Sequence, residues 1–188
     1  MKKSKLRQEM KQKLAGLDKP LYEDKSFKIA QYLFKEPCWM KANTIGVTIS
    51  NRPEVDTYQI IRKAWELGKR VVVPKCDAKT KTMTFRELES FAQLERVFFG
   101  LYEPIEDCTN EMNINEIDLL IIPGLAYTLK GYRIGFGGGY YDRFLEKYHG
   151  FTLSLAFDDQ IVSDLPIEEH DLPVAKIITN REVIDINE

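Results

Sequence analysis

Between residues 130 and 139 the chain sets Gly131, Gly135, Gly137, Gly138 and Gly139 among two cations, Lys130 and Arg133, and Asp142 follows on the next segment. Glycine has no Cβ, so residues 137 to 139 can take positive φ and turn several backbone N–H groups toward one anion. Cations beside such a nest suit a phosphate, and the start of the helix read from Tyr140 would extend it. The competing reading of these residues is a flexible glycine-rich turn. Two known phosphate fingerprints do not apply: the loop lacks the Gly-Lys-Ser/Thr ending of a P-loop and lies too far past its strand for a dinucleotide-binding turn.

The elements around the loop explain its position. Leu119 to Ile122 is an unbroken apolar run closed by Pro123 and Gly124, as expected of a buried parallel strand. The loop therefore leaves a strand's carboxyl end, the edge of an α/β sheet where ligands collect. Helices are predicted over 2–17, with Leu6, Met10, Leu14 and Leu17 on one face, and over 20–34, capped by Asp18. A strand over 44–49, a helix capped by Asp56 with Gln59 in the reciprocal position and closed by Gly68, and a strand over 70–73 form a βαβ unit. Residues 82–88 suit a hairpin or edge strand, and further strands begin near Leu119, Leu153 and Lys176, with a helix over 140–148. The fold class is α/β, with a mostly parallel central sheet in one domain over residues 1–188.

Composition sets limits. With 188 residues, 44% of them hydrophobic, and a net charge of −2, the chain is expected to fold as one soluble domain that binds neither membrane nor nucleic acid. No apolar run reaches the ~20 residues of a membrane span, and the basic N-terminus lacks a signal peptide's apolar core, so a cytoplasmic location is expected. Cys38, Cys76 and Cys108 are too widely spaced for zinc and read as reduced thiols. Charge is uneven: the first helix carries Lys2, Lys3, Lys5, Arg7, Lys11 and Lys13, whereas 158–171 carries six carboxylates and no Lys or Arg. The two ends are expected to attract. The basic helix is either a solvated surface or part of the phosphate site.

The segment PGLAYTLKGYRIGFGGGYYDRFL, together with KSKLR, EVDT, GLYEP and HDLPVAKIIT, resembles the 5-formyltetrahydrofolate cyclo-ligase family (5,10-methenyltetrahydrofolate synthetases) over nearly the whole chain. The resemblance implies a three-layer α/β/α sandwich and an enzyme that uses ATP and Mg²⁺ to convert 5-formyltetrahydrofolate, with or without a polyglutamate tail, to 5,10-methenyltetrahydrofolate with release of ADP and phosphate. It implies a nucleotide site at Lys3, Ser4, Lys5, Leu6 and Arg7 and at Arg133, Ile134, Gly135, Phe136, Gly137, Gly138, Gly139, Tyr140 and Tyr141. It places folate at Ile49 and Glu54, with Phe85 and Phe99 lining the pterin pocket. A flat, amide-like pterin needs an apolar wall and an acceptor such as Glu54 for its ring nitrogens.

Under the same resemblance Asp142 and Asp171 are the candidate Mg²⁺ ligands, and Arg133 and Asp142 the catalytic pair. From the residues alone Glu54 also reads as a surface turn residue, and Asp171 as a loop carboxylate or a cap. His170 reads as a structural loop histidine and is not in the candidate set. Where some family members place basic residues between the glycines, this chain has Phe136 and Gly138, so phosphate neutralisation falls to Arg133, the N-terminal cations or the metal. The loop is expected to order on ATP. Two other classes fit the layers: a phosphosugar isomerase or transferase, which would not need ATP, and a nucleotide- or folate-binding module without turnover. No oligomer is evident, and a monomer is expected.

Overall fold

The structure is a computed structural model that describes residues 2–186; residue 1 and residues 187–188 of the expected domain lie outside the described residues. The chain runs α1 (Lys3–Ala15), α2 (Lys19–Phe34), α3 (Pro37–Lys41), β1 (Thr44–Gly46), α4 (Tyr58–Glu66), β2 (Arg70–Asp77), β3 (Thr82–Glu87), β4 (Leu94–Arg96), β5 (Tyr102–Pro104), β6 (Glu111–Met112) and β7 (Leu119–Ile121). It continues with β8 (Ala126–Tyr127), β9 (Arg133–Ile134), α5 (Tyr140–Leu145), β10 (Phe151–Ala156), β11 (Lys176–Thr179) and β12 (Val183–Asp185). Eight strands form the sheet in the order β12-β11-β10-β7-β1-β2-β3-β6. The five from β11 to β2 are parallel, β12 and β3 run antiparallel to them, and β6 pairs antiparallel to β3 and so runs with the five.

The apolar runs are buried because both faces of the parallel strands are covered. Val71, Val73, Leu119, Ile121, Leu153, Leu155 and Ile178 point to the side of α1, α2 and α4, where Leu14, Ile29, Leu33, Ile60 and Ile61 meet them. Val72, Leu120, Ile122 and Ile177 point the other way, onto Leu145 and Tyr148 and the partly buried Phe144. The sandwich is therefore uneven, because α5 stops at Leu145 and not near Tyr148. Tyr148 lies beyond the helix and donates its hydroxyl to the carbonyls of Ile117 and Phe151.

Three local expectations are corrected. Strand β1 ends at Gly46 rather than Ile49, and Val47 adds a single further bond, to Val72 O. Asp56 does cap the start of α4, its Oδ1 accepting the Tyr58 N–H at 2.9 Å, but the reciprocal half is missing: the Asp56 N–H donates to Ser26 Oγ, and Gln59 bonds the Asp56 carboxylate instead. Strand β2 continues past Val73 to Asp77, because β3 pairs with it as far as Thr82 while β1 has already ended, leaving Pro74 without a neighbour that needs its missing N–H. Asp18 does cap α2, accepting from the Leu21 N–H, and Gly68 does follow the end of α4 at φ 73°.

The glycine loop is also more ordered than expected. Strands β8 and β9 fold it into a two-stranded ribbon whose turn holds Gly131 at φ 87°. The Val174 N–H donates to Gly131 O, and a Cβ on residue 131 would stand 2.6 Å from Val174 O. Gly131→Ala should therefore destabilise the protein by about 3 kcal/mol, combining the strained φ with a backbone clash, and lower Tm by roughly 5–10 °C. An unchanged Tm in a thermal melt would show that the ribbon is not fastened here.

Candidate functional site

In the sheet order, the connection from β1 runs to β2 on one side and the connection from β7 runs to β10 on the other. The chain therefore leaves these adjacent strands in opposite directions and opens a crevice at their carboxyl ends, where α/β sheets bind ligands. The loop after β1 carries Ile49 and Glu54, and the glycine loop follows β7. A cavity of about 520 Å³ bordered by Cys38, Lys41, Asp118 and Lys176 lies at the amino ends instead. Its Asp118 carboxylate already accepts the N–H groups of Asn43 and Thr44, so that cavity offers no comparable chemistry.

The crevice gathers polar groups that have no partner among the described residues: Tyr127 Oη, Tyr141 Oη and Arg133 Nε are buried and unbonded, and both tyrosines lie near Arg133 and Glu54. Buried polar groups are normally satisfied, and three such orphans together mark a place where something else bonds. Arg133 reaches it from β9, its side chain only 5% exposed, with Nη2 3.1 Å from Asp142 Oδ1 and Nη1 3.4 Å from Leu172 O. Burial pushes the Tyr127 and Tyr141 hydroxyls well above the usual tyrosine range, so both remain neutral donors. The charge of Glu54 acts in the same direction on both, and that of Cys76 on Tyr141.

Glu54 is half-buried. Burial raises its carboxyl above the usual range against the opposing effect of one bond, from the Asn51 N–H to Oε2 at 2.6 Å. Its carbonyl accepts the Tyr22 hydroxyl at 2.7 Å, which ties this loop to α2. Burial and the neighbouring Glu103 lift the Cys76 thiol to about 12, so it is inert at neutral pH.

The opposite charges of the chain's two ends do meet. Lys3 on α1 bonds Asp171 Oδ2 and Glu168 Oε2, each at 3.1 Å. Burial opposes charge on both Lys3 and Asp171. Their mutual pairing, with the Glu168 N–H donating to Asp171, nonetheless holds the lysine above its ordinary value and the carboxyl below. Arg7 Nε donates to Gly135 O at 2.9 Å, bringing α1 against the glycine loop. In that loop Gly137 and Gly139 take positive φ and Gly138 does not. Helix α5, with only six residues, has little dipole to add, so the cations carry most of the positive field that the sequence reading shared with a helix start.

Asp142, His170 and Asp171 each place a ligand atom within 4.8 Å of the others. The two carboxylates expected to hold Mg²⁺ do converge, and a hard divalent cation that keeps waters and phosphate oxygens as its remaining ligands fits such a pair. His170 joins them although the sequence reading left it out; the adjacent His-Asp pair was its only signal. Among the aromatic candidates, Phe85 is 1% exposed and packed on Phe144 with ring centroids 5.0 Å apart, so it backs the sheet and presents no face to a ligand. Phe99 is 94% exposed at φ 60°, in the turn between β4 and β5, and lines no wall. Ile49, in the loop after β1, is buried in the core cluster shared with α1, α2 and α4. Ser4, Lys5 and Leu6 lie on α1, and Ile134, Phe136 and Tyr140 flank the loop glycines. Sequence reasoning missed Tyr127, which nothing but the fold distinguishes from an ordinary residue of a buried run.

Residues 1–180 match the model of the 5-formyltetrahydrofolate cyclo-ligase family. The chain is similar to the mouse 5-formyltetrahydrofolate cyclo-ligase, 28% identical over 92% of this chain and 91% of that protein. It is also similar to the Escherichia coli K12 enzyme of the same name, 31% identical over 78% of this chain and 83% of the other. Among solved structures it resembles the Aquifex aeolicus 5,10-methenyltetrahydrofolate synthetase, with a TM-score of 0.88, 29% identity and coverage of 100% of this chain and 94% of that one. The Mycoplasma pneumoniae 5,10-methenyltetrahydrofolate synthetase gives a TM-score of 0.78 at 25% identity, over 96% and 99% of the two chains.

Proposed function

This chain belongs to the 5-formyltetrahydrofolate cyclo-ligase family, and from that premise we propose how its residues perform the family's reaction. The protein is an ATP-dependent enzyme that converts 5-formyltetrahydrofolate to 5,10-methenyltetrahydrofolate. The observation that carries the assignment of roles is the crevice between β1 and β7, where buried donors without partners stand beside a half-buried carboxylate.

The N5-formyl carbonyl is a poor electrophile because nitrogen donates into it. Its oxygen attacks the γ-phosphorus, ADP leaves, N10 adds to the carbon and gives up its proton to water, and the former carbonyl oxygen departs with phosphate. Arg133, with Lys3 and Arg7 from α1 and the amides of Gly135 to Gly139, offsets the charge that spreads over the transferring phosphoryl group. The neutral Tyr141 hydroxyl, aimed into the crevice, donates to the formyl oxygen or to the phosphate that takes it. Glu54 accepts from the pterin ring nitrogens. Asp142 and Asp171, with His170 beside them, hold Mg²⁺, which when bound supplies further neutralisation of the phosphate oxygens.

Phe136 and Gly138 give this loop no cation of their own, so Arg133 is the main charge the loop presents. The enzyme works as one domain and as a monomer in the cytoplasm, on folates with or without a polyglutamate tail. No helix among the described residues is long and apolar enough to cross a membrane.

The test is the absorbance of the methenyl product on mixing protein, 5-formyltetrahydrofolate, ATP and Mg²⁺. A rise that requires ATP is expected and excludes a phosphosugar isomerase. Binding of folate and ATP without a rise would leave a non-catalytic module, and omission of Mg²⁺ without effect would remove the metal from the reading.

A further inference from the structure

We infer that Arg143, outside the set of residues assigned to ligand above, is a positioning residue that fixes the shape of the glycine loop and ties it to the β2–β3 turn. The inference rests on the proposed nucleotide site and adds the device that holds it. Arg143 stands in the last turn of the short helix α5. Its Nη2 donates to Gly138 O at 2.8 Å and its Nε donates to Lys81 O at 2.9 Å. Lys81 holds φ 55° at the tip between β2 and β3, a conformation rare outside glycine, which turns its carbonyl to the arginine. The guanidinium also lies over the Tyr140 ring, 5.2 Å from its centroid. The same ring abuts Gly138, where a Cβ would come within 2.8 Å of it. A Cβ on Gly139 would stand 2.8 Å from Arg143 Nη1, so this glycine is required both by its φ of 68° and by the arginine's approach.

The planar trans peptide gives this grip a direction. A carbonyl and the following N–H point opposite ways, so an arginine that holds Gly138 O turns the Gly139 N–H to the other side of the loop. Arg7 does the same from α1: its hold on Gly135 O turns the Phe136 N–H away from itself, and its guanidinium lies 3.6 Å from where a Gly137 Cβ would be. Two arginines from different elements thus pin the carbonyls of Gly135 and Gly138 and leave intervening amides free for an anion. A glycine-rich loop otherwise loses much backbone freedom when it orders on a ligand. A loop already pinned at two carbonyls has less to lose, and the gain appears as nucleotide affinity.

Arg143→Ala and Arg143→Gln are compared with the unaltered protein for kcat, for KM of ATP and of folate, and for chymotrypsin cleavage at Phe136 without nucleotide. Loss of two hydrogen bonds should raise the KM for ATP about ten-fold in the alanine variant, with kcat and folate KM within about two-fold. Cleavage at Phe136 should accelerate in parallel. The glutamine variant, which keeps a donor but no charge, should fall between the two. A glutamine variant as poor as alanine would overturn the inference, because the charge and not the bond would then be acting. So would a kcat collapse at unchanged cleavage, which would place the guanidinium on the phosphoryl group, and so would no change in any readout. Absence of ATP-dependent turnover in the unaltered protein would reject the functional reading alone, since the cleavage comparison needs no turnover.

Discussion

Replacing Arg133 by alanine is expected to lower kcat about a thousand-fold while the protein remains folded. The guanidinium is the most buried cation of the crevice, its Nε has no protein partner, and its Nη2 orients Asp142. A preorganised charge in a site shielded from water contributes several kcal/mol to the transition state of phosphoryl transfer, and truncation leaves nothing that can move into its place. Arg133→Lys keeps the charge and loses the fork, so it should recover part of the rate. Steady-state kinetics with ATP binding by calorimetry separates the two contributions. A loss of less than ten-fold in kcat would move the main phosphate-neutralising role to Lys3 and Arg7.

Glu54→Gln is expected to raise the KM for folate about a hundred-fold and at the same time to stabilise the protein near neutral pH. Both effects follow from burial of the carboxylate. The folded value lies above the unfolded one, so ionisation opposes folding: stability is lost as pH rises from the ordinary carboxyl range through the raised value. The gain in the glutamine variant should therefore be complete above that raised value and vanish below about pH 4. In the unaltered protein, folate KM should rise on acidification at a higher pH than an ordinary glutamate would give, because the protonated acid no longer accepts both pterin donors. Melting curves and KM across pH 4–8 test the two halves separately. Equal stability of the two proteins at every pH would mean that the carboxylate is solvated and not part of the site.

The parallel strands were legible because each is an apolar run bounded by turn residues, as at Leu119 to Ile122, and burial on both faces leaves no other use for such a run. The cap at Asp18 and the stop at Gly68 were legible because each acts through its own backbone neighbourhood. The Asp56 cap held, but its reciprocal bond from Gln59 failed because Ser26, thirty residues away, took the N–H that the motif needed. The segments around β4, β5 and the ribbon β8–β9 have two- and three-residue strands, too short to show a period. The site followed the same division. Glycines, Arg133 and Asp142 announce themselves by type and spacing. The facing direction of Phe85 is set by strand register against β2, and the exposure of Phe99 by a turn at positive φ; neither is written in local sequence.

The bond between Lys3 and Asp171 joins positions 168 apart in the chain. During synthesis helix α1 leaves the ribosome long before its acidic partner is made, and domains fold as their segments emerge. Until Asp171 is clear of the exit tunnel, Lys3 has no carboxylate to hold it, and α1 is tied to the site only by its packing and by Arg7 on Gly135 O. A chain that stops between the glycine loop and Asp171 carries every glycine yet lacks this tie of its basic helix. The phosphate site is therefore complete only once residues 168 positions apart have both been made.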